Sequence, residues 1–208
     1  DLEINEIDVP LTLVSCAVDV AKQGDIVTPE LKQAGDKLYV IRILRDGYDQ
    51  PNYDQAKAVY AAVRHMVENG NIKAAYALDA NGLVPAVSKM AFGNKLGVKI
   101  IDDFSTKTLF GFSVGDLVLE VSEDAELALS TELAKRGISD CGYEVGQVTG
   151  DATFSYRDVK ISVDEAIAAW TGTLEKVFKT RSHEDKSLVK TDVYSAKSFY
   201  VCKNKIAK

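Results

Sequence analysis

Residues 72–93 read IKAAYALDANGLVPAVSKMAFG, a segment whose pattern gives the clearest indication of how the chain folds. Residues 72–78 form a short apolar run typical of a buried strand, and residues 79–82 have the composition of a turn. Residues 83–93 follow as a helix whose Pro85 falls in the first turn, where a missing N–H costs little. The stretch therefore predicts a strand–turn–helix unit. Its turn presents backbone N–H groups at the positive end of a helix, a place suited to an anion.

Similar patterns continue on both sides of this unit. Short apolar or β-branched runs predict strands at residues 11–18, 37–44, 97–101, 116–121, 142–148, 153–156 and 159–162. Three- and four-residue apolar spacing predicts helices at residues 53–68 and 163–178. A Ser cap, early acids and a Lys-Arg-Gly ending predict a further helix from Ser122 to about Arg136. The mixture predicts an α+β (mixed α/β) fold, in which helices cover a mixed β-sheet.

The helix ends carry recognisable signals. Asn52 can cap the helix at residues 53–68, and Asn-Gly-Asn at residues 69–71 can end it. Ser162 can cap the last helix, where Trp170 is expected to anchor the core. Periodicity fades after Phe178. We therefore expect one domain at residues 1–178 and an interdomain linker at residues 179–208.

Composition places the chain among ordinary globular proteins. It has 208 residues, of which 46% are hydrophobic and 27% are charged. No run of about 18 apolar residues occurs, so a membrane span is not expected. Cys16, Cys141 and Cys202 lie far apart, which favours free thiols in a reducing cytoplasm.

Charge is unevenly distributed along the chain. The net charge is −6, yet residues 175–208 carry nine Lys or Arg against four Asp or Glu. A basic tail can bind nucleic acid, but a solvated linker, or an arm that packs on an acidic neighbour, is the better interpretation. The remaining residues carry a net negative charge that would repel a phosphate backbone, so we expect no nucleic-acid partner.

Motifs for independent catalysis are absent from the sequence. It contains no P-loop, dinucleotide fingerprint, HExxH, paired CxxC or GxSxG. Cys141 has no histidine nearby in sequence, and His65 lies off the apolar stripe of its helix. The acid pairs Asp102–Asp103 and Asp151–Asp158 are typical of loops and turns. We therefore predict no catalytic residue and no metal site. One candidate remains, a phosphate- or nucleotide-facing turn formed by Asp79, Asn81 and Gly82.

Several stretches together resemble a known family. They are VPLTLVS at residues 9–15, VTPELK at 27–32, GDKLYVI at 35–41, KMAFGN at 89–94 and LGV at 96–98. Their order and spacing resemble the C-terminal domain of the aminoimidazole ribonucleotide synthetase superfamily. They look most like the second such domain of the large, single-chain phosphoribosylformylglycinamidine synthase family. The resemblance covers about residues 9–175, and residues 194–208 resemble the linker that leads to that family's glutaminase domain.

One family motif is only partly kept. The family's turn typically reads His-Asp-x-Ser-Asp-Gly-Gly-Leu, whereas residues 76–83 read YALDANGL. Gly82 and Leu83 are retained, and Tyr76, Ala77 and Ala80 stand where the family has His and two acids. The resemblance therefore implies an auxiliary, structural copy of the domain.

The resemblance also implies a function for the whole enzyme. The family converts phosphoribosylformylglycinamide, glutamine and ATP to the amidine in cytoplasmic purine biosynthesis, with magnesium at the transferring phosphoryl group. This chain would then be an active-site-supporting domain, inactive alone and without its own cofactor. Its partners would be the sister synthetase domains and the glutaminase domain of the same chain, with a homodimer of the fragment as a further possibility.

Two alternatives stay open. The chain can be a stand-alone ligand-binding or assembly module without catalysis, which the absence of catalytic residues favours. It can also belong to a related synthetase that uses a similar domain for another ATP-dependent step.

Overall fold

A seven-stranded mixed β-sheet forms the centre of the computed structural model, which describes residues 13–178. The strands are β1 (Lys37–Ile41), β2 (Ala74–Ala77), β3 (Gly97–Ile100), β4 (Leu117–Val121), β5 (Gly142–Thr149), β6 (Thr153–Tyr156) and β7 (Val159–Ser162). Their order across the sheet is β2-β4-β1-β5-β3-β6-β7. Neighbouring strands are antiparallel, except for the parallel pair β3 and β6. The predicted mixed sheet is confirmed.

Strand direction determines which residues meet at each end of the sheet. Because β1 and β2 both pair antiparallel with β4, they run the same way, and β3 and β6 share that direction through β5. The carboxyl ends of these four strands therefore lie at the same end of the sheet, beside the first residues of β4 and β5. The predicted turn after β2 is at this end of the sheet.

The described residues form five α-helices. They are α1 (Tyr53–Glu68), α2 (Leu83–Phe92), α3 (Thr106–Phe110), α4 (Glu123–Lys135) and α5 (Val163–Glu175). The Asn52 side chain caps α1 as predicted, with its Oδ1 accepting from the Gln55 N–H at 3.1 Å. Likewise the Ser162 hydroxyl accepts from the Glu165 N–H at 3.1 Å at the start of α5.

The alternation of side chains along β1 and β4 separates two apolar clusters. One lies under α2 and contains buried residues of five strands and the loops beside them, among them Leu38, Val40, Met90, Val98 and Val118. The other lies under α1 and α4, among them Ile41, Val59, Met66, Leu119 and Leu129. The apolar stripe predicted for α1 thus packs on the sheet, as do the buried residues of α2 and α4.

Three sequence predictions differ from the structure. The strand predicted at residues 11–18 is wrong for its described part, since residues 13–18 form no regular structure and Leu13 and Val18 are 96% exposed. An apolar run indicates a tendency to be buried, but it does not specify a neighbouring strand with which the segment would pair. Trp170, predicted as a core anchor, is 60% exposed. The short helix α3 was missed because its sequence, TKTLF, has less than two turns of periodicity.

The chain separates into two compact units, with the boundary between Ala166 and Ile167 inside α5. The first unit contains the sheet and α1 to α4. The described residues of the second unit complete α5 and reach Phe178. The predicted linker at residues 179–208 lies outside the described residues, so the predicted boundary after residue 178 stays a prediction.

No helix among residues 13–178 is long and apolar enough to cross a membrane.

Candidate functional site

The predicted turn lies at the carboxyl end of β2 and leads directly into α2. Leu78 is buried, and its N–H donates to the Asp116 carbonyl at 2.8 Å, which ties the end of β2 to the start of β4. The three predicted site residues Asp79, Asn81 and Gly82 follow. Sequence reasoning therefore placed the turn correctly, between a strand and a helix N-terminus, although β2 is an outermost, partly buried strand.

Hydrogen bonds within the turn use both ends of Asp79. Its Oδ1 accepts from the Asn81 N–H at 2.7 Å, and its carbonyl accepts from the Gly82 N–H at 3.4 Å. This is the Asx-type bonding by which aspartate mimics a backbone turn. Its Oδ2 lies 3.9 Å from Lys89 Nζ. Asp79 thus shapes the turn and carries a negative charge in front of α2.

Gly82 is the residue that allows a second loop to approach. Its φ is 81°, in the left-handed region that favours glycine. A Cβ at this position would lie 2.7 Å from the Gly111 carbonyl oxygen and 2.9 Å from the Gly111 nitrogen. The Ser113 N–H also donates to the Asp79 carbonyl at 3.3 Å. The loop at residues 110–116 therefore lies directly against the turn.

The first turn of α2 retains the features that suit an anion. No side chain caps it, so its first N–H groups are free to face an anion, although Pro85 at its third position supplies no N–H. Lys89 lies one turn further on, 5.9 Å above the centre of the Tyr76 ring. The helix end and Lys89 attract an anion, whereas Asp79 repels one. The structure brings the three predicted residues together, and their ligand role stays a prediction.

Contacts of Arg45, which the sequence did not predict, hold the loop at residues 110–116 in place. Arg45 donates from Nη1 to the Asp49 carbonyl at 2.9 Å and from Nη2 to the Val114 carbonyl. Its guanidinium also lies 5.2 Å from the centre of the Phe112 ring. The Tyr60 hydroxyl donates to the Gly115 carbonyl at 2.9 Å. A single arginine in a turn gives no sequence signal for contacts this distant along the chain.

Asp116, at the base of the same loop, is a buried carboxylate. Its Oδ1 accepts from the Ile43 N–H at 2.8 Å and joins the start of β4 to the chain beyond β1. Burial raises the pKa of Asp116, while this hydrogen bond and the arginines Arg45 and Arg42 act in the opposite direction. Its role is to position the loop.

A second buried acid, Glu120, fixes the segment before β1. It is fully buried in β4, and its carboxylate accepts from the N–H groups of Lys32 and Gln33 at 2.8 to 2.9 Å. Burial raises the pKa of Glu120 to about 7; the backbone hydrogen bonds lower it, and neighbouring Asp36 raises it further. Lys73 Nζ lies 2.7 Å from Asp36 Oδ2. The sequence signal for this buried acid is a glutamate inside the otherwise apolar strand LVLEV.

An apolar cavity of about 350 Å³ lies between α2, α3 and the strands β6 and β7. Its lining includes Val87, Leu109, Phe110, Phe154, Tyr156 and Ile161. The few polar groups on its wall include the Ser88 hydroxyl, which already donates to the Val84 carbonyl at 2.8 Å. This cavity therefore offers little to orient a polar substrate.

The other candidates from the sequence take structural positions. Cys141 is 1% exposed, its Sγ accepts from Gln55 Nε2 at 2.9 Å, and burial raises its pKa, so its nucleophilic thiolate form is disfavoured. His65 Nδ1 lies 3.4 Å from Glu132 on the exposed side of α1. Within residues 13–178, no three His, Cys, Asp or Glu side chains group in a way that could hold a metal ion.

Comparison with known proteins places these features in context. No protein-family model matches the sequence. The phosphoribosylformylglycinamidine synthase subunit PurL of Lactobacillus acidophilus is 24% identical over 180 residues, which are 78% of this chain and 23% of that protein. The subunit of the same name from Synechocystis sp. is 30% identical over 128 residues, 59% of this chain and 16% of that protein.

A solved structure shows the same fold. Thermotoga maritima PurL complexed with ATP superposes with a TM-score of 0.57 at 20% identity, over 69% of this chain and 27% of that chain. The chain spans less than a third of the length of each of these three proteins. In sequence and in fold, the chain is similar to a segment of phosphoribosylformylglycinamidine synthase, and the resemblance implied by its motifs is confirmed.

Proposed function

We propose that this chain is a supporting domain of a phosphoribosylformylglycinamidine synthase, the second of that enzyme's two C-terminal synthetase domains. The names of the relatives and the common fold support the enzyme. The altered turn at residues 76–83 supports the auxiliary copy.

The family resemblance implies the reaction to which this domain contributes. The amide oxygen of phosphoribosylformylglycinamide is phosphorylated by ATP, and ammonia released from glutamine then displaces the phosphate to give the amidine. ATP use is supported by the Thermotoga maritima structure, whose PurL is complexed with ATP. We propose that ATP binding, the chemical steps and the glutaminase reside in other parts of the enzyme.

The supporting role rests on one observation, which is that the loop at residues 110–116 covers the turn before α2. The Gly111 backbone occupies the space beside Gly82, and the Ser113 N–H donates to the Asp79 carbonyl at 3.3 Å. A substrate phosphate at the N-terminus of α2 would be obstructed by the loop at residues 110–116 and repelled by the Asp79 charge. We infer that the turn transmits the position of β2 to the loop at residues 110–116 and to the partner domain beyond it.

Magnesium does not fit the residues of this turn. Ala77 and Ala80 stand where the family motif has acids, and Asp79 Oδ1 is engaged by the Asn81 N–H. Magnesium prefers several oxygen ligands in near-octahedral geometry. No step of the reaction is therefore assigned to a metal ion held by this segment.

The partners that we propose follow from the same resemblance. They are the sister synthetase domains and, through residues 179–208, the glutaminase domain, all in the cytoplasm. A homodimer of the isolated chain is proposed as a substitute for the missing sister domain. The linker itself lies outside the described residues.

The supporting role is tested by an activity assay on the 208-residue chain. It is incubated with phosphoribosylformylglycinamide, ATP, magnesium and ammonium chloride, and ADP release is followed. We expect a rate equal to that of the protein-free blank. Turnover above the blank that survives repurification would contradict the proposal. Sequencing the gene on both sides adds a second criterion, since a downstream glutaminase-type Cys, His and Glu set favours this proposal over a stand-alone module.

The phosphate-facing role of Asp79, Asn81 and Gly82 is tested by backbone amide spectra during titration with ATP. If the turn faces phosphate, the amides of residues 79–83 shift with saturation. Replacing Asp79 with Asn keeps an oxygen acceptor for the Asn81 N–H and removes a negative charge, so D79N would then bind ATP more tightly. Unchanged amides in both proteins would end this role for the isolated domain.

A further inference from the structure

Three neighbouring strands at one end of the sheet carry a row of polar side chains. Lys99 of β3 pairs with Ser155 of β6, and Ser155 pairs with Lys160 of β7. Residues directly opposite in neighbouring strands project from the same face. Strand spacing of about 4.8 Å places the two lysine Cα atoms roughly 10 Å apart, with the serine between them. Both ammonium groups can therefore reach one ligand above the Ser155 hydroxyl.

The two lysines are exposed and lack acidic partners. Among residues 13–178, neither ammonium group makes a hydrogen bond or an ion pair. Other lysines of this chain do so: Lys37 with Glu126, Lys73 with Asp36, and Lys95 with Asp164, all at 2.7 to 2.9 Å. In a chain with 31 acidic and 25 basic residues, two adjacent lysines without acidic partners form a local positive site.

An arginine at the adjoining β-turn adds a third positive charge to this groove. Arg157 follows β6 with φ of 53°, a left-handed conformation that costs free energy for a residue other than glycine. Its backbone N–H donates to Asp102 Oδ1 and its Nε to the Asp102 carbonyl, both at 2.9 Å. The guanidinium also lies 5.0 Å from the centre of the Tyr156 ring. The arginine side chain is thus held in place at the groove.

The two acids in the same groove accept hydrogen bonds from uncharged donors and keep their charges, so three cations against two acids leave the groove with one net positive charge. Asp102 accepts from the Arg157 N–H, and Asp151 Oδ1 accepts from the Thr149 hydroxyl at 2.6 Å. Gly97 permits the latter arrangement, because a Cβ there would collide with Asp151 Oδ1 and Thr149 Oγ1. The groove has a volume of about 360 Å³, and its lining side chains comprise three cations, two acids and two hydroxyls.

We propose that this groove binds a small phosphomonoester, with the phosphate between Lys99 and Lys160 above the Ser155 hydroxyl. Paired ammonium groups and a hydroxyl match the charge and the acceptor oxygens of a phosphate. A nucleic acid would need a longer basic track, and the net charge of −6 opposes a polyanion. The site is on strands β3, β6 and β7, away from the turn after β2, so it goes beyond the supporting role proposed above.

The test is a titration of the 208-residue chain with ribose 5-phosphate, with ribose as the control. We expect saturable shifts of the amides of residues 99, 155 and 160, displacement by inorganic phosphate, and no effect of ribose. The double variant K99Q/K160Q is expected to weaken binding about 100-fold, because each charge-assisted contact contributes about tenfold. K57Q removes an exposed lysine elsewhere, and its affinity should equal that of the parent chain.

The outcomes separate this proposal from its competitors. Absence of saturation with ribose 5-phosphate, or equal affinity in the parent and K99Q/K160Q, would overturn it. Binding of an oligonucleotide or of polyglutamate at these amides, without ribose 5-phosphate binding, would also overturn it in favour of a macromolecular partner. Shifts confined to residues 79–83 would support the turn instead. The ADP-release assay is independent of all these results, so either proposal can fail alone.

Discussion

Replacing Gly82 with Ala should destabilise the fold more than any other glycine-to-alanine change at a described positive-φ position. Two costs add. With φ of 81° and ψ of −158°, Gly82 has a backbone conformation that is essentially restricted to glycine, and it costs a residue with a Cβ about 1–3 kcal/mol. The new Cβ also meets the Gly111 carbonyl oxygen at 2.7 Å, an overpacking that typically costs about 1–3 kcal/mol.

Gly70 provides the matched control. Its φ is 71°, yet a Cβ there meets nothing within 4 Å. Gly70→Ala should therefore cost only the conformational part, about 1–2 kcal/mol. A loss in G82A that exceeds the loss in G70A by more than about 1 kcal/mol, the difference between the two conformational costs, therefore reports the contact between the turn and the loop at residues 110–116.

The assay is urea unfolding of the parent chain, G82A and G70A, followed by far-ultraviolet circular dichroism and analysed with a common slope. We expect G82A to lose about 2–6 kcal/mol, or roughly 4–24 °C in thermal midpoint for a domain of this size. If G82A were no less stable than G70A, the loop would not lie against the turn, and the observation behind the supporting role would be lost.

Three further results are expected. Asn52→Ala should cost about 1 kcal/mol in thermal or urea unfolding because α1 loses its cap, and an unchanged midpoint would contradict the role of the Oδ1 bond to the Gln55 N–H. Because the pKa of Glu120 is raised from 4.5 to about 7 in the folded state, its contribution to stability falls as pH rises from about 4.5 to 7 and is constant above that range. Unfolding midpoints of Glu120→Gln should lack this component between pH 4 and 8, and an unchanged pH profile would refute the assignment. A thiol reagent should modify exposed Cys16 rapidly and buried Cys141 only at the rate of unfolding, as peptide mapping would show; equal rates would contradict the burial.

Local signals allowed α1 to be predicted with its observed limits. Asn52, the apolar spacing of residues such as Val59 and Met66, and Gly70 all act within a few residues of the helix. The limits of the strands were predicted within about three residues, except at residues 11–18. There an apolar segment has no partner strand among the described residues, and pairing is a property of the whole sheet.

The candidate site was predictable only in its local part. Asp79, Asn81 and Gly82 have the residue types of a turn, and they form one. The contact of Gly82 with Gly111 joins segments 29 residues apart, so no local pattern announces it. The Glu120 carboxylate likewise binds N–H groups 87 and 88 residues away in sequence. The lysine row across β3, β6 and β7 depends on strand order, which the sequence did not reveal.

The outermost strands of the sheet, β2 and β7, are only four residues long. Exposed strand borders invite pairing with another molecule, and brevity and lysine side chains are common protections against it. Lys160 lies on β7 between Val159 and Ile161, which are 52% and 41% exposed. Its charge would thus keep an apolar border from joining β7 of a second molecule, and neutralising it should make the protein more prone to aggregate in concentrated solution.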